Sequence, residues 1–461
     1  MARLLMDLSP LKKYPDFRRL WMGSAFSTLG FQVTSMAVSL QIFHITGSTF
    51  AVGSVGLVAV LPLIIGGLYG GVIADARDRR LVALTVSVIL WLVSVLIALQ
   101  AFLHLENVWV LYGLIAVQSF VHPINQSARG AIIPKVVGLK RLPAANALNM
   151  SVNTLATTLG PMLGGFLVAA VGYGWTYAVD VVTFTVGLWA LYKLPAQVPE
   201  HDGTAPARGV KAVIDGFGFV RRSPVISMTF VLDVCAMVFL FPQALFPAMA
   251  ITVVGGNAAV AGLLSGTMTL GAFLGTLLSG RAVAVTRQGA ALTWTYAGWT
   301  IGMLWSGVSI AWIAAATTPG TPTAWGGLAS CMVGLMVAGA SDAVGGIYRS
   351  TILQTAAPDT MRGRLQGLFI VTVTGGPRIG SGVMGAAGQW AGPGLALVYG
   401  AVACAASVGA LSAKFPQLRA YHAPVPPETS AIDTLQTPQA RTETAEIPRV
   451  PPPPAQRPDE D

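Results

Sequence analysis

The sequence predicts an all-α membrane protein, with twelve transmembrane helices in two six-helix bundles. Three observations carry that reading. The chain has 461 residues, of which 54% are apolar and only 10% charged, against roughly 25% charged in soluble domains. Twelve stretches approach the roughly 20 mostly apolar residues that a helical span needs. Nearly every Lys and Arg sits at a terminus, or in or beside alternate gaps between those stretches, and the exception is Arg378.

The stretches run at about 20–44, 50–74, 81–103, 108–128, 147–170, 175–194, 224–250, 258–280, 290–315, 324–348, 367–390 and 393–413. Each reads as a helix, because a helix satisfies its own backbone groups in hydrocarbon. The ten-residue alternation of an outer-membrane barrel is absent. The gaps around Arg77/Arg79/Arg80, Lys135/Lys140/Arg141, Lys211/Arg221/Arg222, Arg281/Arg287 and Arg362/Arg364 are basic, while those at 44–51, 104–107, 171–174 and 317–323 hold no Lys or Arg. This positive-inside pattern puts the basic gaps and both termini in the cytoplasm. The basic segment before the first span reads as part of a retained first helix, because that span is too long for a signal peptide. The net charge of +9 is thereby assigned to orientation and anionic lipid rather than to nucleic acid. Cys235, Cys331 and Cys404 all fall inside spans and read as small core residues, not as a disulfide or metal set.

Six spans precede a polar break and six follow it. The expected organisation is a first bundle at 1–194, a cytoplasmic linker at 195–223, a second bundle at 224–414 and a disordered Pro-rich tail at 415–461. In the linker, Val210, Val213, Ile214, Phe217 and Val220 fall at helical spacing, which predicts a short amphipathic helix on the membrane face. The tail, with Pro451–Pro454, cannot build a core. The halves align at an offset of 220 residues: Arg129 with Arg349, Ile132 with Ile352, Leu148 with Leu368, Gly160 with Gly380 and Gly165 with Gly385. Two halves in the same orientation imply a parallel repeat about the membrane normal.

Two segments carry mechanism. Gly71, Asp75, Arg79 and Arg80 surround the basic loop after the second span; the glycine permits close packing, Asp75 needs a partner and the arginines supply donors. Gly160, Pro161, Gly164 and Gly165 lie in the fifth span, where glycines allow tight helix contact and proline bends the helix. The first segment resembles the signature loop of the major facilitator superfamily, with Asp78 in place of its second glycine. The second resembles the antiporter signature of exporters in that superfamily, with Ala156 in place of an upstream glycine. Further segments narrow the branch: Gln41-Ile42 with Thr46-Gly47-Ser48, Pro134 with Leu142 and Ala145–Leu148, Gly280-Arg281 with Gln288-Gly289, and Leu353–Thr355 with Pro358, Arg362–Arg364 and Gly367-Leu368. From about Phe17 to Lys414 the chain looks like the drug and siderophore exporter branch, which contains the enterobactin exporter. The resemblance implies the major facilitator fold and secondary export by alternating access across a bacterial cytoplasmic membrane. It also implies a gate latch at Asp75 and the loop arginines, and a central cavity lined by the first, fourth, seventh and tenth helices. It leaves the substrate open between siderophore-like compounds and drugs such as macrolides or tetracyclines.

Asp180, Asp233, Asp342, Arg378 and His122 lie within spans. A charge at a helix centre costs roughly 2.5–3.5 kcal/mol on insertion scales, so such residues face a cavity or one another. Asp233 or Asp342 is expected to pair with Arg378 in one state and to be protonated in another, which would couple proton and substrate; a fixed structural ion pair is the alternative. Arg378, His122 and Gln32 are the candidate cavity residues, although Gln32 and Gln41 could equally bond neighbouring helices. Asp180, near the outer end of the sixth span, reads as structural. No G-x-x-x-x-G-K-[ST] loop, H-E-x-x-H, G-x-S-x-G or Cys/His cluster occurs, so neither a built-in ATPase nor another enzyme is expected, and no cofactor or metal. The expected partners are a small-molecule substrate, protons and lipid, with the chain a monomer. A transport-dead sensor or scaffold is the remaining alternative.

Overall fold

A computed structural model describes residues 7–76, 78–195, 218–280, 285–316 and 318–422, and among these the regular structure is helical with no strand. The helices are α1 (Ser9–Lys13), α2 (Pro15–Thr46), α3 (Thr49–Ala76), α4 (Arg79–Phe102), α5 (Val108–Val137), α6 (Leu142–Tyr192), α7 (Pro224–Leu240), α8 (Ala258–Leu277), α9 (Gln288–Ala316), α10 (Pro322–Ala356), α11 (Asp359–Ala391), α12 (Pro393–Lys414) and α13 (Pro416–Arg419).

Nine helical stretches among the described residues are long and apolar enough to cross a membrane. One of them is α6, whose 51 residues contain a single non-helical position, Gly172, at φ 80° and ψ 178°. That conformation is open to glycine alone at low cost. It folds the fifth and sixth spans back on each other with no loop between them. The α7 pass continues through a tight turn at Pro242–Leu245 and a wide turn at Met249–Val253. The more polar α2 and α11 complete the twelve, and the cavity described below explains their polarity.

Within the first six spans α2 packs along α6, α3 along α5, and α4 along both α5 and α6; within the last six, α9 lies on α10 and α12, α8 on α10, and α7 on α11 and α12. Two extensive contacts join the halves, α3 with α11 and α6 with α8. The repeat relates the second span to the eighth and the fifth to the eleventh, so it exchanges these two contacts. Small residues let the backbones close. A Cβ on Gly262 of α8 would lie 2.6 Å from the Pro161 carbonyl oxygen of α6, and one on Gly271 would strike Met336 of α10. Close backbone packing of this kind, rather than a hydrophobic drive, holds helices together in lipid.

Of the expected linker helix, which runs from Val210 to Val220, residues 210–217 lie outside the described residues, and Val220 falls in a short helical stretch at 218–222. That residue is buried with Ile226, Phe230, Leu353 and Leu365. The tail departs from the expected boundary at 415. Leu418 is buried, the Gly289 amide donates to the Tyr421 carbonyl (3.4 Å), and the Tyr421 and Thr355 hydroxyls meet at 2.8 Å. The apolar Leu418 and the aromatic Tyr421 keep this segment on α9 and α10; residues 423–461 lie outside the described set. At the other terminus Arg141 reaches Asp7 (3.0 Å), whose carboxyl is held below the usual range by the Ser9 amide and hydroxyl and by Arg141. The three cysteines are free, as their place inside spans predicts.

Candidate functional site

A cavity of about 320 Å³ lies between the two halves at mid-span. Its polar wall comes from Gln32 and Ser35 of α2, Gln118 and Ser119 of α5, Gln243 after α7, and Arg378 of α11, and Arg378 is the one charged residue among those lining it. Arg378 makes no hydrogen bond or ion pair to a described residue. Glycines set these side chains. A Cβ on Gly56 of α3 would collide with the Arg378 backbone, and one on Gly160 of α6 would collide with Gln32. The Gly160–Gly165 segment therefore packs in two directions. Gly160 and Gly164 seat α6 on α2, with the Gly164 Cβ position 2.7 Å from the Val33 carbonyl oxygen, while Pro161 and Gly165 meet Gly262 of α8.

One end of the cavity is shut. Thr49 Oγ1 donates to the Gly385 carbonyl (2.8 Å) and the Thr49 amide donates to Gln389 Oε1 (3.2 Å), closing α3 on α11. Both contacts lie away from the basic loops. Toward the basic loops α6 turns an uncovered polar face outward, with Asn146, Asn153, Thr154 and Thr157 exposed. Polar residues in a span face a water-filled cavity rather than lipid, so this face marks an open vestibule. A larger cavity, about 460 Å³, lies between α9 and α12 beside the exposed Trp294. Its mostly apolar lining and the absence of the mid-span polar groups mark it as a lipid-facing groove.

The expected partner of the acids is replaced by another arginine. Arg349 Nη1 donates to Asp233 Oδ1, Arg349 Nη2 donates to Asp342 Oδ1 (2.9 Å), and the Tyr296 hydroxyl lies 3.5 Å from Asp233 Oδ1. Asp233 and Arg349 are buried, while the Asp342 side chain is one-third exposed. Asp342 and Arg349 stand seven residues apart on α10, two turns along one face, and α7 brings Asp233 against both. In this state Arg378 is thus not the counter-ion of Asp233 or Asp342. The seven-residue spacing was the sequence signal for the observed pair.

The first half holds the matching arginine differently. Arg129 is buried; its Nη1 donates to Ser24 Oγ (2.9 Å) and its Nη2 to Ser87 Oγ (3.3 Å), where Asn125 Nδ2 also donates (2.5 Å). The first and third spans of the two halves start 209 residues apart (Pro15 and Pro224, Arg79 and Gln288), against 220 in the fourth and fifth; at 209 Ser24 matches Asp233 and Ser87 matches Tyr296, so hydroxyls occupy the places of the acid and the phenol. His122 stacks on Phe31 with ring centroids 4.6 Å apart, and Phe31 lines the central cavity.

The remaining candidates separate cleanly. Gln32 lines the cavity, but Gln41 exchanges hydrogen bonds with Gln100 (3.0 and 3.3 Å) and accepts from Tyr177 (2.8 Å) inside the first bundle. Asp180 is buried outside the cavity and accepts from Ser94 (2.7 Å). In the basic loop Asp78 caps α4 by accepting from the Arg80 amide (2.9 Å), Arg79 donates to the Ala131 carbonyl (3.1 Å), and Arg80 donates to those of Leu191 (3.3 Å) and Tyr192 (2.7 Å). The last two carbonyls lie at the C-terminus of α6, where cations are favoured. Gly71 and Asp75 belong to α3, but their surroundings lie outside what the structure describes, and so does any latch that Asp75 forms.

Comparison with known proteins agrees with this architecture. The chain is 27% identical over 389 residues to the enterobactin exporter EntS of Citrobacter koseri, covering 83% of this chain and 88% of that one, and equally so to EntS of Escherichia coli O1:K1. Among solved structures it resembles a mutant of the nucleoside transporter NupG (TM-score 0.72, 12% identity, 87% of this chain and 100% of that one). It also resembles a bacterial homologue of the iron transporter ferroportin in an inward-facing state (TM-score 0.64, 14% identity, 88% and 98%). The fold is that of the major facilitator transporters, and the model of the transmembrane secretion effector family matches residues 6–432. The chain therefore belongs to the transmembrane secretion effector family of the major facilitator superfamily, and is a multi-pass membrane transporter of the exporter type.

Proposed function

We propose that this protein is a proton-coupled exporter of small amphiphilic, siderophore-like compounds, working by alternating access with Asp233 and Asp342 as its proton-binding pair. The observation that carries this reading is one buried guanidinium shared by two carboxylates on α7 and α10. Two acids against one cation leave an excess negative charge, which a proton can neutralise without leaving the arginine unpaired. Asp342 is the more exposed of the two and provides the route by which a proton from the vestibule reaches the sealed Asp233. With the basic loops in the cytoplasm, the state described is inward-facing, ready to load from the cell interior. The likeness to enterobactin exporters supports outward movement and a siderophore-like cargo. The bacterial cytoplasmic membrane is the location this implies.

Reconstituted vesicles test the coupling. With the siderophore enterobactin as cargo, an imposed pH gradient drives accumulation in the unmodified protein. Asp233→Asn and Asp342→Asn lose gradient-driven accumulation while keeping exchange at equal pH. If both variants still concentrate cargo, the pair is structural. A deletion strain screened for siderophore secretion and for sensitivity to macrolides and tetracyclines decides between a dedicated exporter and broad drug efflux.

A further inference from the structure

Electrostatics divides the membrane interior of this protein into two unlike regions. Around Arg349 the cation is matched by Asp233 and Asp342. Around the cavity it is not. Arg378 faces the 320 Å³ cavity with amides and hydroxyls for company. Arg129 lines a second pocket of about 170 Å³ together with Ser24, Thr28, Gln126, Asn149 and Asn153, none of which is acidic. Arg129 is only 7% exposed, and its Nε is buried without a hydrogen-bond partner among the described residues. His122 stacks on Phe31 of the first cavity and stands seven residues before Arg129 on α5, whose Gln118 and Ser119 line the first cavity and whose Gln126 and Arg129 line the second, so the two pockets lie along one strip of that helix. Asp180, a buried acid of the sixth span, accepts from Ser94 through Oδ2. A cation withdrawn from water is costly unless matched by negative charge. Guanidinium groups recognise carboxylates and similar oxyanions through paired donors.

We propose that Arg378 and Arg129 are anion-binding groups, and that the transported compound is an organic acid. Its acidic group docks on these arginines, while the amides and hydroxyls of Gln32, Gln118, Asn149 and Asn153 take its neutral oxygens. This rests on the export reading above for the word "transported"; the binding itself does not depend on it. A monocation of similar size is repelled by the same strip.

The test uses the full-length protein in nanodiscs of zwitterionic lipid, with fluorescence polarisation of three probes: dansyl-glycine (an anion), its primary amide (neutral) and dansylcadaverine (a cation). The expected order of affinity is anion, amide, cation, with the anion favoured over the amide about tenfold, equivalent to about 1.4 kcal/mol. Arg378→Gln and Arg129→Gln each lower the anion-to-amide ratio several-fold; Arg378→Lys restores part of the preference. Equal ratios in the unmodified protein and both Gln variants overturn the proposal, as does preference for the cation or failure of all three probes to bind. Adding phosphatidylglycerol to the nanodiscs separates a lipid headgroup from a soluble acid. If that lipid removes the preference, the arginines hold headgroups and the proposal fails. Should the anion bind as expected but never move across vesicles, the export reading falls and the anion site stands.

Discussion

In the first half Arg129 is held by the hydroxyls of Ser24 and Ser87; in the second, Arg349 is held by the carboxylates of Asp233 and Asp342. The two arginines are repeat-related, both are buried, and both leave Nε without a partner among the described residues. One duplicated helix pattern thus supports two electrostatic arrangements. A carboxylate-matched cation can exchange protons through its acids. A hydroxyl-matched cation keeps a net positive field and is free to receive an anion. Divergence at Ser24/Asp233 and Ser87/Tyr296, without any change of fold, separates the two.

The comparison can be broken most forcefully at the arginines. Arg349→Met strands Asp233 as a buried unpaired acid, and breaking such a pair costs about 3–5 kcal/mol. Arg129→Met strands only hydroxyls, at about 1–2 kcal/mol. Thermal unfolding in detergent should rank them in that order; equal shifts would show that the carboxylates contribute nothing special. Next comes a graft. Ser24→Asp gives Arg129 the partner that Arg349 has, and a hydrogen bond to a charged group contributes about 1.5–3 kcal/mol. The expected outcome is a raised unfolding temperature with the anion preference of dansyl-glycine reduced. An unchanged preference would separate Arg129 from the anion site.

A smaller effect is expected at the helix contacts that both halves share. Gly262→Leu forces α8 away from Pro161 and Gly165 of α6, and overpacking of this kind costs about 1–3 kcal/mol. Because this contact belongs to the shut end, the variant should also increase labelling of a cysteine placed at Thr49. The smallest change is Gln41→Leu. It breaks the bonds to Gln100 and Tyr177 at about 1 kcal/mol and should leave probe binding intact, since Gln41 lies off the cavity. Loss of binding there would move the site into the first bundle.

Much of this was legible in residue order. Hydropathy and the alternation of basic gaps mark the twelve passes, because lipid demands long apolar helices and charge bias sets their direction. The Arg129/Arg349 match and the Gly160–Gly165 cluster were visible as spacing, and the helices they occupy pack as spacing implies. Even the Asp342–Arg349 bond had a signal in its seven-residue interval. Gly172 was less visible: nothing in the sequence says that the fifth and sixth spans join without a loop, since glycine permits a sharp reversal but does not require one.

What residue order could not settle is which charge meets which. Asp233 is 116 residues from Arg349 and 145 from Arg378, and hydropathy gives its depth without its angular position on the helix. The packing of α7 against α10 and α11 decides that angle, and it directs Asp233 to Arg349. The same packing leaves Arg378 facing an uncharged cavity and separates Gln32 from Gln41. Residue order alone carries the passes, the family and the inventory of buried charges, because those depend on composition along one helix at a time. Their partners come from helix packing, because a charge inside a membrane is defined by the neighbour that another helix brings to it.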